Sequence, residues 1–237
     1  QFTFSYAHPI GLYDIYFYNM LDGTVNESSA FTLNAGPAVP VIVSCQPDTG
    51  FQGEFLTVSI TGQNTIFQQG TDVIKLTNGS TVISPQQNVF VSGTLIQSTF
   101  AFNQDYPAGI YNLSVVKNGG YTLSLNNCFT LNSDPSPGSL ISILPSSGTQ
   151  GQTVSLSITG VNTNFGISGT TTTIYLKQGA YQITPSTTTV SNSETLQVQF
   201  NLTYGFPSGI YDVYVKNTLD GTMVLAGGFM LNSGSVA

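Results

Sequence analysis

The 237-residue sequence predicts an all-β chain: two complete β-sandwich modules preceded by the closing part of a third. Three observations carry this reading. One pattern is written twice about a sandwich length apart, apolar residues alternate with polar ones in short runs, and turn-forming residues punctuate those runs with no helical periodicity between them.

The segments from Val41 to Asn132 and from Leu140 to Asn232 are the two writings, offset by 98 residues early and 100 late. Pro47, Gly50 and Gly53 match Pro145, Gly148 and Gly151, and S-I-T-G at 59–62 matches S-I-T-G at 157–160, followed by Asn64 and Phe67 against Asn162 and Phe165. P-A-G-I-Y at 107–111 then matches P-S-G-I-Y at 207–211, and C-F-T-L-N at 128–132 matches G-F-M-L-N at 228–232. The opening residues repeat only the final third, with P-I-G-L-Y at 9–13 and F-T-L-N at 31–34, so the chain is expected to begin inside a repeat. The predicted units are a truncated repeat at 1–36, copy 1 at 37–134 and copy 2 at 135–237.

Within each copy the period is two. Leu56, Val58 and Ile60 share one face of an early strand while Thr57 and Ser59 face away, and Val154, Leu156 and Ile158 repeat the arrangement. After the Pro-x-Gly-x-Tyr motif, Tyr111, Leu113 and Val115 correspond to Tyr211, Val213 and Val215, and to Tyr13, Ile15 and Phe17 in the truncated repeat; all are expected in cores. L-D-G-T at 21–24 and 219–222 and K-N-G-G at 117–120 supply the positive φ of tight hairpins, which makes the last two strands of each repeat a hairpin. The truncated repeat lacks the strands that would cover Phe2, Phe4, Tyr13, Ile15, Phe17, Phe31 and Leu33. Each large side chain is worth roughly 1.5–3 kcal/mol on burial, so this face is expected to pack on another copy, a neighbouring chain or further strands. Proline-containing spacers at 35–40 and 133–139 are short and semi-rigid, which predicts modules set end to end with little mutual burial.

Composition narrows the function. Charged residues are 6% of the chain, against roughly 25% in an ordinary soluble domain, with a formal net charge of −7. Four lysines, no arginine and no basic run exclude the electrostatic footprint of a nucleic-acid binder. Ser, Thr, Asn and Gln number 26, 30, 18 and 16, which leaves a neutral, hydroxyl- and amide-rich surface with almost nothing for a trypsin-like protease to cut. No apolar stretch approaches the length of a membrane-spanning helix.

Catalytic and ligand-binding constellations are sparse in this chain. The single histidine, His8, stands where the copies have Tyr106 and Phe206, and reads as a loop side chain rather than a catalytic base. The eleven acids are scattered without the paired spacing of a glycosidase. Asp22 and Asp220 are single acids in Asp-Gly turns, unlike a calcium loop. No metal, cofactor or catalytic residue is assigned, and the chain is read as non-enzymatic. Tyr16, Tyr18 and Tyr214 alternate with core positions and face outward, so they are possible surface aromatic contacts of the kind carbohydrate modules use. Tyr13, Tyr111 and Tyr211 stand near the start of the penultimate strand, where a phenol ties back to nearby backbone as a tyrosine corner. Asn26, Asn78, Asn112 and Asn201 lie in N-x-S/T sequons.

The stretch P-S-S-G-T-Q-G-Q-T-V-S-L-S-I-T-G-V-N-T-N-F at 145–165, closed by P-S-G-I-Y-D-V-Y-V and G-G-F-M-L, resembles the IPT/TIG type of immunoglobulin-like repeat. The resemblance covers both complete copies; copy 1 departs from it in reading Q-P-D-T-G-F-Q-G-E at 46–54, with the glycines kept. It implies seven- or eight-stranded sandwiches, here tandem immunoglobulin-like β-sandwiches (IPT/TIG-like), of the kind strung together in secreted or cell-surface bacterial proteins. The role that follows is a non-catalytic stalk or spacer with adhesion as a possible addition. The rivals are an accessory carbohydrate-binding module of a secreted enzyme, or a subunit of a surface filament. The expected partners are other repeats of the same protein or neighbouring copies, with a surface glycan or protein besides, and the expected location is extracellular or cell-surface.

Cys45 on the first strand of copy 1 and Cys128 on its last are the only cysteines. In immunoglobulin-like sandwiches those strands can run side by side, which allows a disulfide; two buried free thiols are the alternative. Copy 2 has Ile143 and Gly228 at these places, so such a bond is a staple the fold does not require. An oxidised pair favours an extracellular or periplasmic home.

Overall fold

The computed structural model describes residues 9–36, 38–117 and 120–235. His8, Phe2 and Phe4 lie outside the described residues. Strands follow the alternating runs. β1 (Gly11–Asn19) and β2 (Gly23–Leu33) form a hairpin from the truncated repeat. Copy 1 comprises β3 (Val41–Gln46), β4 (Thr49–Phe51), β5 (Glu54–Gln63), β6 (Val73–Asn78), β7 (Thr81–Ile83), β8 (Gln87–Ser92), β9 (Leu95–Phe102), β10 (Gly109–Val116) and β11 (Thr122–Asn132). Copy 2 comprises β12 (Ser139–Leu144), β13 (Ser147–Thr149), β14 (Gln152–Val161), β15 (Thr172–Gln178), β16 (Tyr181–Ile183), β17 (Thr187–Asn192), β18 (Thr195–Leu202), β19 (Gly209–Asn217) and β20 (Gly221–Asn232).

In copy 1 one sheet runs β3-β5-β9-β8 and the other β4-β11-β10-β6-β7. Copy 2 repeats this as β12-β14-β18-β17 and β13-β20-β19-β15-β16. This is the strand order of an immunoglobulin-like sandwich, whose opening strand is split between two sheets. The split falls at Pro47 and Pro145, both after cis peptide bonds, where the chain leaves the first sheet and joins the second as a short strand parallel to the closing one.

Each sandwich holds its own apolar core between the sheets. Val58, Ile60, Phe100 and Phe102 from one sheet meet Leu113, Val115 and Phe129 from the other, and the three phenylalanine rings stack in series at 5.6 and 4.9 Å between centroids. Leu156, Ile158, Val213, Val215, Phe200, Leu202 and Phe229 fill the second core. The hydroxyl- and amide-rich residues take the alternate positions, as in Thr57 Oγ1 bonded to Thr99 Oγ1 across β5 and β9 at 2.8 Å.

Two expectations are corrected. Tyr13, Ile15 and Leu33 are half-buried and Phe17 is 68% exposed, so among the described residues neither complete copy covers the β1–β2 face, and of the three expected coverings a neighbouring chain and further strands remain. The physical reason is that β1 and β2 pair only with each other among the described residues, while the equivalent β10–β11 hairpin is covered by a second sheet. The strands carrying Cys45 and Cys128 do not pair side by side: β3 and β11 belong to opposite sheets, and β11 is edged by β4 instead. The disulfide that joins Cys45 and Cys128, with Cα atoms 6.2 Å apart, therefore spans the sandwich from sheet to sheet.

Candidate functional site

The three Pro-x-Gly-x-Tyr motifs adopt one geometry. Gly11, Gly109 and Gly209 have φ of 145°, 147° and 138°, a range that side-chain-bearing residues avoid. This turn aims each tyrosine back along the chain, and the hydroxyls of Tyr13, Tyr111 and Tyr211 donate to the carbonyls of Pro9, Pro107 and Pro207 at 2.6, 2.7 and 2.8 Å. Burial pushes the phenols of Tyr111 and Tyr211 above their ordinary pKa. The residue after each tyrosine is a second fixture, one that strand periodicity does not reveal. Oδ1 of Asp14, Asn112 and Asp212 accepts the backbone N–H of Ser29, Asn127 and Gly227, at 2.7, 2.8 and 2.7 Å, where the partner strand bulges with positive φ. Its signal is nonetheless local, since all three copies place Asp or Asn directly after the tyrosine.

The corner bonds fix the loop before the penultimate strand and the latches fix the bulge of the closing one, and the two copies meet where a hairpin tip touches an end loop. At the near end of copy 2, Asn217 Oδ1 accepts the N–H groups of Leu219 and Asp220 at 2.8 and 3.2 Å and so shapes the tip. At the far end of copy 1, Asp105 follows β9. Its carboxylate accepts the Thr222 backbone N–H and the Thr222 hydroxyl, each at 3.1 Å, and the Gln104 N–H donates to the Leu219 carbonyl at 3.1 Å. Gly221 lies in the left-handed region with φ 68°, and a Cβ there would come within 3.0 Å of the Asp105 nitrogen. Leu219 is 3% exposed although it belongs to neither sandwich core.

The spacer is tied into the same place. Gln52 Nε2 donates to the Tyr106 carbonyl at 2.6 Å, its Oε1 accepts the Asp134 N–H at 3.2 Å, and Gln104 Nε2 donates to the Asp134 carboxylate at 2.8 Å. Copy 2 uses Gln150 in the same way, with Nε2 on the Phe206 carbonyl and Oε1 on the Gly234 N–H. Asp220 is buried beneath the joint, its two oxygens accepting the Asn164 backbone N–H at 2.8 Å and side-chain Nδ2 at 2.6 Å. Burial pushes its carboxyl above the usual range and Asp134 adds to the rise, while the Asn164 bonds oppose it.

The clefts beside the contact, about 220 and 260 Å³, are lined by Gln86, Asn103, Thr171 and Lys216 on one side and by Asp105, Ser139, Asp220 and Thr222 on the other. Both carboxylates are occupied by hydrogen bonds, which suits a fixed angle between two bodies more than proton transfer. Tyr16 and Tyr18 are 64% and 77% exposed on β1. Tyr214 stacks face to face on Tyr175 of β15, with centroids 4.9 Å apart, and Lys177 lies 5.7 Å from its ring, so this cross-strand set meets its own partners.

No family model matches the chain, and no curated protein does. Among solved structures it is similar to the plexin A4 extracellular region, at 9% identity over 92% of this chain with a TM-score of 0.33. It is also similar to the titin pair A168–A169, at 16% identity over 83% of this chain and 99% of that chain with a TM-score of 0.29. The N-terminal eight Ig domains of the Down syndrome cell adhesion molecule match at 14% identity over 96% of this chain, with a TM-score of 0.31. The chain spans 31% of the plexin chain and 28% of the adhesion-molecule chain. At these scores the immunoglobulin-like assignment rests on the strand order of the two sandwiches.

Proposed function

We propose that the chain is a non-catalytic stalk segment of an extracellular or cell-surface protein, built from immunoglobulin-like repeats of the IPT/TIG kind and of bacterial type. It sets spacing and direction between the parts it connects. The observation that carries the reading is the joint. One carboxylate of copy 1 takes both donors of Thr222, and a backbone bond from Gln104 to Leu219 adds a third tie, so the short spacer is backed by direct contacts across the boundary. A neutral, lysine-poor surface and the sheet-to-sheet disulfide fit exposure outside a cell.

Spin labels placed one on each copy test the reading. The expected result is a narrow distance distribution in the wild type that broadens in Asp105→Ala; a broad distribution in the wild type, or none of the expected broadening, sinks it. The carbohydrate-module alternative is weighed by a glycan array at high protein concentration, where a spacer binds nothing and a glycan module binds through the Tyr175–Tyr214 surface.

A further inference from the structure

Resting on the joint just described, the truncated repeat has a legible partner. Over residues 9–34 it matches 207–232 of copy 2 at 13 of 26 positions and 107–132 of copy 1 at 8. Seven are common to all three, so what separates the copies is six positions against one: Asp14, Tyr16, Asn19, Leu21, Asp22 and Gly23 agree with copy 2 alone, Thr32 with copy 1 alone. Four of the six form the hairpin tip. N-x-L-D-G-T stands at 19–24 and 217–222, where copy 1 has K-N-G-G-Y-T.

The two tips also share a shape. Asn19 pairs with Gly23 as Asn217 pairs with Gly221. Asn19 Oδ1 accepts the Leu21 N–H at 3.1 Å, and Gly23 has φ 73° beside 68° for Gly221. They differ in what lies on them. Leu219 is 3% exposed and Leu21 93%; a Cβ on Gly221 would strike Asp105, while one on Gly23 would meet nothing within 4 Å among the described residues.

We propose that β1–β2 closes a sandwich of the copy 2 type, and that its tip at 20–24 seats on the end loop of a further sandwich of the copy 1 type, through an aspartate at the place of Asp105. Thr24 presents the same backbone N–H and hydroxyl that Thr222 gives to that carboxylate, and Leu21 is the apolar plug. Copy 2 does not offer the seat, because its own end loop reads T-Y-G-F at 203–206 with Gly205 where copy 1 has Asp105. The truncated repeat reads S-Y-A-H at 5–8, again with a small residue at that place. The stalk is thus an alternation of two sandwich types, and its repeating unit is a pair.

The test is a chimaera in which residues 37–206 are joined to Pro9 of the intact chain, so that copy 2 strands meet β1–β2 and copy 1 precedes them. Amide exchange read residue by residue is expected to slow at Thr24 at least tenfold relative to the parent chain, and to return when the leading Asp105 alone is changed to Ala. If β1 and β2 become protected while Thr24 does not, or if Thr24 protection ignores Asp105→Ala, the seat is refuted. If β1 and β2 stay unprotected, the assignment to the copy 2 type is refuted. A second variant needs no fusion: Thr218→Met writes the 19–24 tip into copy 2. It should keep Thr222 protected, and loss of that protection overturns the proposal. Asp105→Ala in the parent chain is read alongside, because failure to release Thr222 there condemns the joint itself rather than the pairing of types.

Discussion

Copy 1 and copy 2 solve one buried polar problem in different ways. At the end of β10, Lys117 Nζ reaches the Ile66 carbonyl and Asp72 Oδ2, both at 2.5 Å, with the Phe67 ring 5.4 Å from the ammonium. At the end of β19 the same place holds Asn217, whose Nδ2 donates to the Asn164 carbonyl at 3.3 Å and to Thr172 Oγ1 at 3.0 Å. The ionic version is the more demanding. Both side chains of the pair are almost fully buried, and Asp72 Oδ1 has no hydrogen-bond partner among the described residues. Two desolvated ions must recover their hydration from one another and from two backbone groups, the Ile66 carbonyl and the Gln68 N–H, whereas an amide and a hydroxyl cost little to bury once bonded. Copy 1 also carries the disulfide where copy 2 has Ile143 and Gly228. A Cβ at Gly228 would lie 2.9 Å from Val213 Cγ2 and 2.8 Å from Leu225 Cδ2, so neighbouring side chains already fill that space. One fold tolerates both sets, which locates the fold's requirements elsewhere, in the core period and the tyrosine corners.

The sharpest way to break the comparison is to remove the staple. The loop closed between Cys45 and Cys128 spans 83 residues, and the chain-entropy account assigns it at most about 4 to 5 kcal/mol. Reduction, or Cys45→Ala with Cys128→Ala, should lower the stability of copy 1 by up to that amount and leave the copy 2 transition unmoved in calorimetry. Equal loss in both copies would show that the modules do not melt separately.

Next comes the ion pair. Lys117→Ala leaves Asp72 charged and buried, and should cost about 3–5 kcal/mol. The double exchange Lys117→Asn with Asp72→Thr imports the arrangement of copy 2 and should recover most of it in denaturant unfolding. A double variant no better than the single would mean that the ionic pair is needed for more than mutual neutralisation.

Smaller effects should fall alike on both copies. Tyr111→Phe and Tyr211→Phe each remove one hydroxyl bond to a proline carbonyl and should cost about 0.5–1.5 kcal/mol apiece. Unequal losses would show that the corner carries different weight in the two sandwiches.

The smallest effect is a matter of pH and belongs to copy 2. Asp220 has its carboxyl pKa raised by burial, so the folded state holds that proton more firmly than the unfolded one. Its contribution is fully present below the unfolded value of about 3.9 and is lost as pH rises through the folded value. Asp220→Asn should therefore flatten the acid side of the copy 2 stability profile, measured by unfolding between mildly acidic and neutral pH. An unchanged slope would remove Asp220 from the account.

Part of this architecture is legible in the amino-acid sequence. The alternation around Val58 and Ile60, and the Pro-x-Gly-x-Tyr motif with its tyrosine, are local, because strand period and a glycine-dependent turn are properties of neighbouring residues. The latch made by Asp14, Asn112 and Asp212 is just as local, but a lone Asp or Asn on a strand does not announce which backbone N–H it will meet. The joint is not legible at all. Asp105 is an ordinary loop acid in sequence, and it acquires its role only when Thr222, 117 residues on, is brought against it.

By itself the sequence determined an all-β chain with one pattern written twice and the closing part of a third copy before it, the hairpin tips at 19–24 and 217–222, and the tyrosines that tie strand starts to the prolines before them. These follow from periodicity and backbone stereochemistry acting over a few residues. The tertiary structure alone decided that Cys45 and Cys128 face each other across two sheets, that Lys117 meets Asp72 in the interior and that Asp105 clamps the next copy. Each depends on which strands share a sheet and which ends touch, and the physical reason is that packing unites residues the chain keeps far apart.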